Sequence, residues 1–290
     1  MLTMNIARGA IYAALVTSFT VFSAFRSEGN RTFQGHREGV SSDALRTGNA
    51  EGQQTYLHKV VSPAGQTLLE YNADRTIRRI VQLRKTENDT YSDIQLPVYE
   101  NGRVVKCLSA DDEKAVTGDP YLAFEYSGDK VSRISYYRDN AVYSYDSLVY
   151  DASGKIATRH QFGRNAAKAT WENTGYLQYT WTPEGDVERM DTYGKQPGYS
   201  KFVYTSSVSY TYDRKQNPQQ QQPELALLLE GGAGNLSAHN VLTETISSPN
   251  TSRVITNTYT YAYNGKYPVR ATYSSGMDAA TVKLEWIKLQ

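Results

Sequence analysis

The chain has 290 residues, an apolar share of 39% and a formal charge of +1, enough for one sizeable core if the apolar residues share one face of each element. Near neutrality leaves nothing to attract nucleic acid or an anionic membrane surface. A single cysteine, Cys107, excludes an intramolecular disulfide, so packing and strand pairing must hold the fold.

Residues 1–23 open with Arg8 and run without charge from Gly9 to Phe25. That is a basic region followed by an apolar one, shorter than the roughly 20 apolar residues that span a bilayer. With the small Val21 and Ser23 before a cut at Ser23/Ala24, it reads as a secretory signal, with an uncleaved anchor as the alternative. The mature chain is then expected to be exported and formally neutral, with no transmembrane helix. No cysteine follows the apolar run, so lipidation at that junction is not expected. Residues 24–54 are rich in Gly, Ser, Arg and Glu and too poor in large apolar side chains to offset the entropy of ordering them. They read as a flexible spacer before a domain over 55–290.

Beyond Tyr56 one outline returns seven times: an aromatic, a polar turn usually holding Gly, then a run of roughly period two. The leading aromatics are Tyr71, Tyr99, Tyr126, Tyr150, Trp181, Tyr212 and Tyr263, 24 to 31 residues apart until a last gap of 51. Each unit has room for two strands and a tight turn. Asn101-Gly102, Ser127-Gly128 and Asn264-Gly265 tolerate the positive φ that hairpin turns require. The 24 tyrosines, against 7 Phe and 3 Trp, suit half-buried strands, since the ring packs while the hydroxyl reaches water. The expected fold is all-β: an antiparallel hairpin meander that must curl into a barrel or half-barrel to hide its apolar face. Tyr259, Tyr261 and Tyr263 share one face of the last long strand.

The long gap is filled by residues 217–241, where Pro223 could start and Gly231-Gly232 stop one short helix near 223–230. Such a helix could plug one end of the curled sheet or cover a sheet edge.

Chemistry leaves little local trace. His36, His58, His160 and His239 have no second ligand at metal-binding spacing, and Asp111-Asp112-Glu113 lacks the alternating oxygens and Gly of a calcium loop. No nucleophile elbow or phosphate loop occurs. No metal, cofactor or catalytic residue is therefore assigned. The stretch LVYDASGKIATRHQF, residues 148–162, reads as a turn in which Asp151 starts the reversal and Gly154 supplies a left-handed residue. Cys107 reads as a small buried apolar residue. Trp171, Tyr179 and Trp181 crowd two adjacent units and are the candidate binding residues, a patch that could stack on a sugar ring. Core packing is the other reading of them.

Tyr150-Asp151 followed by Gly154-Lys155-Ile156 resembles the YD-type repeats of bacterial surface proteins. The end of the chain, with Asn217-Pro218, Asn235 to Val241 and Thr258 to Pro268, resembles a Bacteroidetes family of secreted proteins of unknown function described as having a porin-like fold. Many of these are lipoproteins, and the missing cysteine is where this chain departs. The resemblance implies a barrel in a Gram-negative envelope, periplasmic or extracellular, and carries over no catalytic residue. The expected function is non-catalytic binding of an envelope glycan, lipid or protein partner. The alternatives are a glycan-processing enzyme with carboxylates assembled across strands, and a structural component or channel of the outer membrane.

Overall fold

The computed structural model describes residues 54–85, 89–165, 169–195, 199–228, 233–249, 251–276 and 278–289, with Pro223, Leu225 and Leu227 described by their backbone alone. The expected signal over 1–23 lies outside these residues, as does the spacer except for Gln54.

Among the described residues sixteen strands follow one another with each pairing its neighbour: β1 (Thr55–Ser62), β2 (Gly65–Tyr71), β3 (Ile77–Lys85), β4 (Thr90–Glu100), β5 (Arg103–Ala110), β6 (Asp119–Ser127), β7 (Lys130–Arg138) and β8 (Ala141–Tyr150). The second half is β9 (Ile156–Asn165), β10 (Thr170–Trp181), β11 (Val187–Lys195), β12 (Phe202–Gln216), β13 (His239–Ser248), β14 (Thr251–Asn264), β15 (Tyr267–Ser275) and β16 (Asp278–Lys288). β16 pairs with β1, Lys288 opposite Thr55, so the sheet is a closed antiparallel barrel. The expected meander closes fully rather than stopping at a half-barrel.

The sevenfold outline has a common structural cause. In each of the seven hairpins the ladder slips by a residue at the leading aromatic: Tyr71, Tyr99, Tyr126, Tyr150, Trp181, Tyr212 and Tyr263. A bulge bends its strand and increases the twist, and repeating it at one height bends a flat meander into a cylinder. The aromatics also tie consecutive hairpins together. The hydroxyls of Tyr71, Tyr126, Tyr150 and Tyr212 donate to the carbonyls of Leu57, Val104, Val131 and Val187, and Trp181 Nε1 donates to Ile156. Tyr99 accepts from Ile77 N. In the last hairpin Tyr261 takes this role, bonding the Val241 carbonyl, while Tyr263 turns to Asp213. Trp286 of β16 continues the ring by donating to Pro268.

The insert between β12 and β13 holds a 3-10 turn (Pro218–Gln221), α1 (Pro223–Leu228) and α2 (Ala233–Leu236). The expected helix is present, with two short helical turns beside it. Asn217 caps the first turn, accepting from Gln219 N. Its Nδ2 donates to the carbonyls of Gly234 and Ser237. Leu228 joins the core cluster of β1–β8, β15 and β16, and Ala233 that of β10–β14, so the insert plugs the end of the barrel where the tight turns lie.

A third apolar cluster lies on the outer face: Val81, Ile94 and Leu96, flanked by Leu68, Leu83 and Leu108. The β5–β6 connection folds back over it as a strap. Ser92 Oγ donates to the Asp111 carbonyl at 2.7 Å, and Arg79 donates to the Glu113 carbonyl. Asp111-Asp112-Glu113 is thus the turn of that strap.

Candidate functional site: the lumen of the barrel

Inner-face residues change character from one end of the barrel to the other. At the turn end Leu57, Leu69, Ile77, Val104, Val131, Val187, Val241 and Val282 are buried around the wall and form a seal with the insert. At the opposite end, inner-face Val203, Ile255 and Tyr91 are 42%, 39% and 58% exposed. Their place on the inner face follows from register, since Val203 pairs Gly194, Ile255 pairs Ile246 and Tyr91 pairs Arg84. The lumen is therefore closed at the turn end and opens to water at the other.

Between seal and mouth, buried polar groups interrupt an apolar wall that includes Ile134, Leu148, Leu177 and Met190. Arg159, paired with Leu148 and Leu177 of the core, faces inward. Its Nε donates to Asp146 Oδ2 at 2.5 Å and its Nη2 to the Tyr136 hydroxyl at 2.5 Å, and that hydroxyl donates to Asp146 Oδ2 at 2.8 Å. Burial alone would lower the guanidinium's pKa, but Tyr136 and Asp146 beside it hold it well above the usual range. The Tyr179 hydroxyl sits fully buried beside this pair; burial raises its pKa, and the Arg159 guanidinium next to it opposes that rise. A second polar group stands across β13–β15: Glu244 Oε2 accepts from the Tyr259 hydroxyl at 2.7 Å and from Asn257 Nδ2 at 3.3 Å. Burial and the Glu244 carboxylate push the Tyr259 phenol far above its ordinary value. On β3 and β4, Gln82 and Gln95 are also buried on this face.

The three aromatics singled out from sequence do not form one surface. Tyr179 and Trp181 share the inner face, Tyr179 in the core at 6% exposure and Trp181 at the seal. Trp171 lies outside, 38% exposed, edge-on to Tyr145. Outer-face rings continue across β8–β12, but they use their faces on one another. Tyr145 stacks on Phe162 at 4.6 Å under the Arg133 guanidinium, and Tyr176 stacks on Tyr193 at 4.5 Å. Parallel rings at the spacing of neighbouring strands stand upright on the sheet and present edges, which suits cross-strand stabilisation better than stacking on a sugar.

Asp186, Ser237 and His239 gather at the insert. Asp186 accepts from His239 N at 2.9 Å and contacts His239 Nδ1 at 2.8 Å. Ser237 Oγ is buried, accepts from Val187 N, and lies 2.8 Å from both the Tyr212 hydroxyl and the Ala233 carbonyl. These groups anchor the plug, with the serine oxygen saturated and out of reach of solvent. Cys107 is fully buried, and burial pushes its thiol up to about 12. In the 148–162 stretch Asp151 Oδ1 accepts from Ser153 N and Lys155 N, and Gly154 has φ +85°, so it is a turn.

The lumen residues had no local sequence signal. Asp146, Arg159 and Tyr136 come from three strands, and only their inward parity, fixed by the bulged register, unites them.

No family model matches the sequence, and no curated protein sequence matches it. Among solved structures it is similar to a porin-like protein from Bacteroides uniformis, 9% identical, covering 80% of this chain and 98% of that one at a TM-score of 0.51. A porin-like protein from Bacteroides vulgatus is 14% identical over 81% and 99% of the two chains at a TM-score of 0.46. A DUF3836 family protein from Bacteroides vulgatus is 17% identical over 29% and 87% at 0.25. The first likeness is one of fold. In fold, the chain is similar to the porin-like protein from Bacteroides uniformis.

Proposed function

We propose that this chain is an exported, non-catalytic protein of a Gram-negative envelope that binds the end of a glycan inside its barrel. The observation that carries the reading is the inner wall, sealed by apolar residues at the turn end, interrupted in the middle by buried Arg159, Asp146 and Glu244, and exposed at the far end. A barrel open at one end only suits a ligand rich in hydroxyl groups that enters from that side. The seal speaks against a through-channel. So does the outer face of β12–β16, where Thr211, Thr243, Thr245, Thr256, Thr272 and Thr281 pair across strands in place of the apolar band that a membrane barrel presents to lipid.

Native mass spectrometry on the chain exported by its own host and purified without detergent tests this. A folded species carrying a reproducible non-protein mass built of sugar units is expected. A protein that stays in solution only in detergent, and carries no such mass, would overturn the reading.

A further inference from the structure

We propose that one arc of the barrel's mouth, from β8 to β14, docks on a bilayer surface bearing anionic phospholipids, its rings entering the headgroup layer and its cations pairing with phosphate. Docking is independent of what the lumen holds. Among the described residues, every large apolar side chain that is exposed, except Val149, lies at the mouth end. Six of them share this arc: Tyr143, Trp171, Tyr199, Val203, Val254 and Ile255. Tyr199 is 69% exposed and Val254 57%, so neither serves the core. The same arc exposes Arg138, Arg164, Lys195, Lys201 and Arg253. Against these cations, the carboxylates at the described strand ends of the arc are Asp139 and Glu172, and Glu172 accepts from Asn165 Nδ2 at 3.0 Å. Further down β11, Asp191 is paired with Arg189. The near-zero net charge of the chain conceals this basic arc, because the strap gathers Asp111, Asp112, Glu113 and Asp119 at another part of the mouth.

Rings and cations are interleaved along the arc. Arg138 lies over the Tyr143 ring at 4.5 Å, Lys195 lies over Phe202 at 4.5 Å, and Arg164 pairs Trp171 across the β9–β10 ladder. That mixture favours lipid over a protein partner. The core of a protein interface is depleted of charge, and covering this arc with another chain would strip water from each of its cations. A headgroup layer leaves them hydrated: Tyr and Trp rings sit at its apolar boundary while Lys and Arg extend to the phosphates. The negative potential of anionic lipid then adds to the pull on every cation. Below the rim the outer face of β12–β14 turns to Thr211, Thr243, Thr245 and Thr256. Contact therefore stops at the headgroups, and the barrel rests on the bilayer rather than spanning it.

The tryptophans supply the test. The chain has three, Trp171 at the mouth and Trp181 and Trp286 at the sealed end, so quenching by lipid tells which end is in contact. The full chain is titrated with vesicles of phosphatidylglycerol and phosphatidylcholine brominated in their acyl chains, and with brominated phosphatidylcholine alone. Emission is expected to shift to shorter wavelength and to be quenched by the anionic vesicles at lower lipid concentration than by the zwitterionic ones, with Trp171→Phe losing the quenching. Lys195→Gln combined with Lys201→Gln should raise the lipid needed for half-quenching about fivefold for each charge removed, and added salt should act in the same direction. All these side chains are exposed, so Tm should match the parent in each variant. Quenching that survives Trp171→Phe would place the sealed end on the lipid and overturn the proposal. So would a titration midpoint unmoved by the lysine variant, or no quenching by either vesicle. A doubled mass in light scattering without lipid, lost in Trp171→Ala, would show that a second copy covers the arc and would overturn it as well.

Discussion

At the residue scale, one decision recurs: whether a polar side chain points into the wall of the barrel or out of it. Asp93 pairs Gln82 on the inner face, and burial, the largest influence, raises its pKa; Arg84 opposes this and Asp111 adds to it. A carboxyl whose folded pKa lies above its unfolded value binds its proton more readily in the native state. Stability therefore falls as pH rises from the ordinary carboxylate range through the raised value, and the cost is complete above it. Asp93→Asn should thus raise stability at neutral pH by about 1 kcal/mol and leave it unchanged in acid, read from thermal melts across that range. The ring of aromatics gives the opposite sign. Tyr150→Phe removes the 2.8 Å bond to the Val131 carbonyl and should cost about 0.5 to 1.5 kcal/mol in denaturant unfolding. An unchanged midpoint would show that the ring only packs. These roles were half legible in the sequence. The spacing of the leading aromatics identified them as a repeat, but Tyr261 and Trp286 joined the ring unforeseen, because what counts is the height of the side chain above the seal rather than its distance from the turn.

At the scale of the element, the repeated unit is a bulged hairpin, and the strap shows what a single irregular connection adds. Outer-face Val81, Ile94 and Leu96 would face water without the β5–β6 connection, which Arg79 and Ser92 hold in place. Arg79 also bridges to Glu70, whose carboxyl, though burial acts to raise its pKa, is held below the usual range by Arg78 and Arg79. Arg79→Ala should release the strap, speed amide hydrogen exchange in β4 and increase binding of a hydrophobic dye. Unchanged exchange in β4 would mean the cluster is buried without the strap. The acidic turn of the strap was visible in the sequence as a solvated turn, and the cluster beneath it was not. An apolar residue on a strand reads the same from either face, and parity depends on a register that the bulges shift.

At the scale of the whole molecule, closure is the decisive event. A meander ends in two edge strands with unpaired backbone groups, which invite association, and here β1 and β16 satisfy each other along the seam from Thr55–Lys288 to Val61–Lys283. Deleting residues 54–62 should leave β2 and β16 as open edges and turn the protein into concentration-dependent oligomers, visible by light scattering. A permutant that joins Lys288 to Thr55 through a short linker and opens the chain at Asp139-Asn140, the β7–β8 turn, should fold as the parent does. The sequence by itself determined the strand content, the hairpin beat, the turn residues and the helical insert, because these follow from local φ preference and from alternation within a few residues. Closure, the seal at one end and the buried cluster of Asp146, Arg159 and Tyr179 were decided only by tertiary structure. They depend on how bulge-induced twist accumulates over sixteen strands and on which parity each strand then presents to a lumen that no local segment can encode.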